Sequence, residues 1–169
     1  MEKTIRELKG ERHPEKEVEP EIYFGIPAFI PDDFIADMHT RLMIYKRISM
    51  VTSEDDMYGL REELADCYGP VPPQVDNLMD IIRVKNILRK IMGERMEYNG
   101  KEMLIDFRED SPVDPGRIVE LSQKNLKGEI KFTPDGRLTV SMPGLEGKDI
   151  INRAKCLLGE LEIEEREIF

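Results

Sequence analysis

The residues with the clearest chemical potential in this sequence are carboxylates concentrated between positions 54 and 66. They are Glu54, Asp55, Asp56, Glu62, Glu63 and Asp66, with Arg61 as the one cation among them. Paired carboxylates can act as general acid and base only where burial raises the pKa of one of them, and nothing in this polar surrounding predicts burial. The cluster therefore indicates either an acidic surface that docks a basic partner or an ordinary solvated helix face.

A second charged cluster, between positions 83 and 101, is basic. Its cations are Arg83, Lys85, Arg89, Lys90, Arg95 and Lys101. Such a stretch can contact a phosphate backbone, or it can form the polar edge of a helix whose C-terminal dipole favours cations. Because no exposed aromatic residues are interleaved for base stacking, nucleic-acid binding remains the alternative hypothesis. The residues that it would use are Arg83, Lys85, Arg89 and Lys90.

Motifs that would hold a nucleotide, a metal or a nucleophile are missing from the sequence. There is no Gly-x-x-x-x-Gly-Lys-Ser/Thr loop, no His-Glu-x-x-His and no Gly-x-Ser-x-Gly. His13 and His39 have no second histidine or cysteine at ligand spacing, and Cys67 and Cys156 are too few for a disulfide framework or a zinc knuckle. We therefore expect no catalytic residue, no metal site and no bound cofactor in this chain.

Length and charge set the class of protein. The chain has 169 residues, is 40% hydrophobic and 36% charged, and carries a formal net charge of −10. This length predicts one domain with tails, and the acidic balance favours a basic protein partner over autonomous nucleic-acid binding. No apolar run approaches the ~18 residues that a membrane span needs, and the N-terminus lacks a signal-peptide core. These features predict a cytoplasmic protein that does not contact a membrane.

The elements that must position the charged clusters are predicted from periodicity and caps. A proline-rich edge strand or arm (20–31) is followed by three helices. We predict that the first is capped by Asp32 or Asp33, and that the second begins with a capping box at Ser53. The third is predicted to begin at Pro72–Pro73 and to be packed on two sides. The apolar face predicted for the first helix comprises Phe34, Met38, Leu42, Tyr45 and Ile48.

The second half of the chain predicts two hairpins, each followed by a helix. The first hairpin turns at Asn99-Gly100, for which we expect a type I′ turn, and the second turns at Thr133–Gly136. The sequence thus predicts an α+β fold: about three N-terminal helices packed with a small antiparallel sheet of two hairpins, one intervening helix and a C-terminal helix. The predicted domain spans 20–161, between a charged lead-in (1–19) and an acidic tail (162–169).

Two sequence blocks resemble the C-terminal domain of bacterial transcription-repair coupling factors, the Mfd family. The first contains Ile30-Pro31, Phe34-Ile35, Asp37, Arg41-Leu42 and Tyr45-Lys46-Arg47, and the second is Leu60-Arg-Glu-Glu-Leu-Ala-Asp-Cys-Tyr-Gly-Pro-Val-Pro73. The similarity covers roughly residues 20–160. Residues 1–19 then resemble the end of the motor domain upstream. One departure from the family is Cys67-Tyr68, where many relatives have Arg-Phe.

The resemblance implies a non-catalytic regulatory domain within a larger protein. Members of the family are ATP-dependent DNA translocases that use ATP and Mg²⁺, remove stalled RNA polymerase and recruit excision repair through UvrA. In the family this domain docks on a UvrB-like N-terminal module of the same chain and masks the UvrA-binding surface. The family contact acids correspond to Glu63 and Asp66, beside which Glu62 completes the predicted interface. Direct DNA binding by this domain is not expected.

Overall fold

The computed structural model describes residues 19–113, 116, 118, 120, 123 and 129–161. In these ranges four helices are delimited: α1 (Met38–Met50), α2 (Glu54–Tyr68), α3 (Pro73–Lys90) and α4 (Lys148–Leu161). Five strands form one sheet: β1 (Glu21–Tyr23), β2 (Gly93–Tyr98), β3 (Glu102–Phe107), β4 (Ile130–Phe132) and β5 (Arg137–Ser141). The predicted α+β class is confirmed. The predicted lead-in (1–19) and tail (162–169) lie outside the described residues, except for Glu19.

The sheet is mixed, which corrects the prediction of an antiparallel sheet made only of hairpins. Its strand order is β1-β2-β3-β5-β4, and the two hairpins, β2–β3 and β4–β5, are joined by the antiparallel pairing of β3 with β5. The proline-rich segment supplies an edge strand as predicted, but β1 pairs in parallel with β2. Parallel pairing needs a long crossover, and here the three helices α1–α3 provide it.

Two hydrophobic clusters share α3, which therefore has apolar residues on two faces as predicted. Val75, Met79 and Ile82 pack against α1 and α2 in the first cluster. Val84 and Leu88 pack against the sheet and α4 in the second cluster. Because α3 belongs to both clusters, it fixes the helical half of the molecule to the half that contains the sheet.

The start and the buried face of α1 differ from the prediction. Asp32 lies in a turn, and the N-cap is Asp37, whose carboxylate accepts the Thr40 backbone N–H at 2.9 Å. The predicted face is wrong at Met38 and Leu42, which are 64% and 60% exposed. The helix begins after Phe34, and its inward stripe is formed by Ile44 and Ile48, with Tyr45 partly buried beside them.

The second hairpin and the C-terminal helix form where the sequence predicts them. In the first hairpin, however, only Gly100 has a positive φ (94°), whereas a type I′ turn needs two such residues. The Asn99 carboxamide instead accepts the backbone N–H groups of Lys101 and Glu102. The helix predicted between the hairpins falls mostly outside the described residues, although Ile118 is helical and buried there.

Candidate functional site

The acidic residues are positioned by α2. The Ser53 hydroxyl accepts the Asp56 backbone N–H at 3.1 Å and caps the helix, and carboxylates in the first turn suit the positive end of the helix dipole. The opposite end is closed by Gly69, which has a φ of 93°. Burial of Met57, Leu60 and Leu64 fixes the rotation of α2. The charged residues are thereby turned to the surface.

We use the term acidic face for Glu62, Glu63 and Asp66, which are all exposed. Glu62 and Asp66 are four residues apart, so they lie one above the other on the helix. In the part of the chain that the structure describes, neither has an ion-pair partner. Their charges are therefore available to a basic partner.

Glu63 differs from its two neighbours because it already has a counter-ion within the domain. The Arg47 Nη1 atom, at the end of α1, donates to the Glu63 Oε2 atom at 2.5 Å, and both side chains are 49% exposed. This hydrogen bond lowers the pKa of Glu63 and raises the pKa of Arg47. Sequence analysis missed the pair because the partners are 16 residues apart and on different helices.

The one cation of α2 does not neutralise the acidic face. Arg61 forms a bidentate pair with Asp76 in the first turn of α3, with its Nε atom 2.7 Å from Oδ1 and its Nη2 atom 3.2 Å from Oδ2. This contact raises the pKa of Arg61. Glu54 is likewise turned away, because it accepts from Arg83 on α3. The first residue and the middle of α2 are thus tied to α3, and the negative charge of the acidic face remains.

A cleft of about 440 Å³ lies between the end of α1 and the middle of α2. Its apolar lining is Met50, Val51 and Leu60, and its charged lining includes the Arg47–Glu63 pair and Asp56. A Cβ built on Gly59, which also lines the cleft, would meet nothing within 4 Å. The cleft is therefore open at Gly59, beside the acidic face.

Residues of the first block that resembles the family hold the segment before α1 in place. The Arg41 Nη1 atom donates to the carbonyl oxygens of Ile35 and Ala36, at 2.8 and 2.9 Å. The Tyr45 hydroxyl accepts the Ile30 backbone N–H at 2.7 Å. These contacts fix the segment between β1 and α1. The block therefore has a structural role here, and Arg47 is its one member that reaches the acidic face.

The basic residues of the alternative hypothesis are engaged within the domain. Arg83 pairs with Glu54 and Asp80. Lys85 and Arg89 both face Glu19, with Nζ–Oε1 and Nη2–Oε2 distances of 3.9 and 3.0 Å. Lys90 also has an interaction partner. Because carboxylates already neutralise much of this surface, the structure gives phosphate binding no support.

Metal ligation and membrane insertion both lack support in the described ranges. No group of three or more His, Cys, Asp or Glu side chains there is placed to hold a metal ion. Of the helices in those same ranges, none is both long enough and apolar enough to cross a bilayer. Cys67 and Cys156 are both free thiols, and both are exposed.

The similarity to known proteins includes both blocks of sequence. A family model described as "TRCF domain" matches residues 24–118, which include α1, α2 and α3. The chain belongs to this family. The transcription-repair-coupling factor of Myxococcus xanthus is 33% identical over 162 residues, which cover 95% of this chain and 13% of the relative. The Escherichia coli (strain K12) factor is 34% identical over 128 residues, 73% of this chain and 11% of the relative.

A solved structure shows the same fold as this TRCF domain. It is a crystal structure of the C-terminal domain of a transcription-repair coupling factor, with a TM-score of 0.75. It covers 85% of this chain and 91% of that one, at 24% identity. The family predicted from the two blocks is therefore confirmed. The chain spans only about an eighth of the length of its curated relatives.

Proposed function

We propose that this TRCF domain is a non-catalytic regulatory module that docks through its acidic face on a UvrB-like module of the same polypeptide. Docking would mask the surface that UvrA binds. The observation that carries the proposal is the open charge of Glu62 and Asp66, one helical turn apart with no ion-pair partner in the described ranges. A formal net charge of −10 adds long-range attraction to a basic partner.

The parent protein is, by this proposal, an ATP-dependent DNA translocase of the cytoplasm. ATP and Mg²⁺ would bind in its motor domains rather than here, and RNA polymerase and UvrA would be partners of the parent. The regulation needs only a weak contact, because tethering gives the docked module an effective concentration of the order of mM. A weak contact is also readily released when the motor engages its substrates.

The test is a titration of the 169-residue chain against the separately expressed UvrB-like module. The variant is Glu62→Lys with Asp66→Lys, which reverses the two open charges. We expect binding at low salt to weaken by about tenfold or more, because the reversed charges repel a basic partner. We also expect wild-type binding to weaken as salt is raised, since exposed charges are screened.

A matched control carries the same change in net charge elsewhere. Glu146→Lys with Glu160→Lys alters two exposed carboxylates, one just before α4 and one near its end. If this control weakens binding as much as the α2 variant, net charge alone governs the contact and the acidic face is not the docking site. The same would follow if the α2 variant bound like the wild-type chain. Steep salt-dependent binding to duplex DNA would instead revive the basic-stretch hypothesis.

A further inference from the structure

Arg47 occupies the position beside Glu63 that a cationic residue of a docking partner would need. It lies in the last turn of α1, where a cation suits the helix dipole, and its guanidinium contacts Glu63 of the acidic face. Exposed ion pairs of this kind contribute little to stability. The pair is therefore not required to hold α1 against α2, which the burial of Ile44, Ile48 and Leu60 already achieves.

The cleft beside this pair has the features that a long cationic side chain needs. Met50, Val51 and Leu60 give it apolar walls, over which the aliphatic part of an arginine or lysine can lie while its charged end reaches a carboxylate. Glu63 provides that carboxylate. Asp56 lies two helical turns earlier on the same helix and lines the same cleft. The guanidinium of Arg47, which also lines the cleft, already contacts the Glu63 carboxylate.

We propose that Arg47 is an internal competitor, which an arginine of the docking partner displaces from Glu63. This inference rests on the proposed function and names the chemistry of the partner residue at the same site. A guanidinium is favoured over an ammonium because it can donate two parallel hydrogen bonds to one carboxylate. Arg47 donates to the Oε2 atom, so it occupies one of the two oxygens that a bidentate partner would bind, and its positive charge repels a second guanidinium at the same carboxylate. Arg47 thus sets the affinity of docking low enough for release.

If Arg47 competes for Glu63, removing its charge should strengthen the binding of a guanidinium ligand. We expect Arg47→Gln to tighten binding of a guanidinium ligand by about two- to fivefold at low salt, the range that exposed ion pairs span. Lys46→Gln is the matched control. It removes the same charge one position away, from an exposed lysine for which no ion pair is found in the described ranges. Only the excess of the Arg47 effect over the Lys46 effect is assigned to competition.

A double-mutant cycle locates the competition at Glu63. In a Glu63→Gln background, Arg47→Gln should have no more effect than Lys46→Gln, because the contested carboxylate is gone. The ligand is a hexa-arginine peptide, with hexa-lysine for comparison, titrated into the 169-residue chain. Chemical-shift changes at the Gly59 amide would report whether the peptide enters the cleft. The UvrB-like module is then titrated into the same variants.

The outcomes separate this inference from the proposed function. Equal effects of Arg47→Gln and Lys46→Gln, or weaker binding by Arg47→Gln, would overturn competition; weaker binding would make Arg47 a positioning residue for Glu63. Absence of a Gly59 shift with hexa-arginine, or equal affinity for hexa-lysine, would also overturn it. If the peptide behaves as expected while the UvrB-like module does not bind, the proposed function fails and the guanidinium site stands.

Discussion

Gly93, the first residue of β2, is the position at which a single methyl group should test the packing most directly. Its φ is not positive, so alanine meets no backbone strain there. A Cβ at this position, however, would lie 2.6 Å from the Leu88 Cγ atom. Leu88 is completely buried in the cluster between the sheet and α4. The leucine must therefore move within a packed core.

The expected cost of Gly93→Ala follows from two opposing terms. Inserting a methyl group into a packed core typically costs about 1–3 kcal/mol. Replacing glycine by alanine returns about 0.4–1 kcal/mol by restricting the unfolded chain. Because the contact with Leu88 is far shorter than a van der Waals contact, the first term should be about 2–3 kcal/mol. We therefore expect the free energy of unfolding to fall by about 1–2.6 kcal/mol, measured by urea denaturation followed by circular dichroism.

Two further variants make this test specific. Gly159→Ala in α4 is the matched control: a Cβ there meets nothing within 4 Å, so the helix should gain about 0.5–1 kcal/mol. Leu88→Ala alone should cost about 2–5 kcal/mol, and the Gly93→Ala/Leu88→Ala double variant should cost less than the sum, because the new methyl group then enters the cavity. The reasoning is refuted if Gly93→Ala is as stable as the wild-type chain, or if the two costs add.

Two other predictions concern polar contacts. The Tyr98 hydroxyl donates to the Met142 carbonyl at 2.7 Å and accepts the Leu145 backbone N–H at 2.9 Å; Tyr98→Phe should therefore lower the free energy of unfolding by about 1–3 kcal/mol, and a loss below about 0.5 kcal/mol would contradict this. Hydrogen bonds from the Thr40 hydroxyl and backbone N–H hold the pKa of Asp37 below its ordinary value. Its contribution to stability is thus complete above the unfolded-state pKa and is lost as the pH falls through the folded-state pKa. The stability difference between wild-type and Asp37→Ala, measured by urea unfolding, should accordingly shrink between about pH 7 and pH 2, whereas a constant difference would show that the carboxylate charge is not involved.

Features governed by local chemistry were predicted well. The N-cap at Ser53 and the start of α3 at Pro73 depend on neighbouring backbone groups, so a few residues suffice to specify them. The two-sided burial of α3 followed from its two apolar stripes. Asp37 was missed as a cap because Asp32 and Asp33 offered the same chemistry earlier in the chain, where the backbone instead forms a turn.

The candidate site was predicted in composition but not in geometry. Glu62, Glu63 and Asp66 were expected as one group, and the structure exposes all three. The structure also distinguishes Glu63 from the other two, because Arg47 contacts Glu63 alone. The basic stretch shows the same effect. From the sequence, Lys85 and Arg89 were candidate phosphate contacts, yet both face Glu19, more than 60 residues away. Contacts at such separations leave no periodic signal.

The sequence by itself determined the family, the α+β class and the acidic character of α2, because these depend on residue types, short spacings and blocks that the family shares. Tertiary structure decided which charges remain open. Whether a carboxylate meets a cation depends on how α1 and α2 approach each other, and that approach is set by the shared burial of Ile48, Leu60 and Met79. Packing of distant apolar residues thus selects Glu62 and Asp66 as open charges and assigns Arg47 to Glu63.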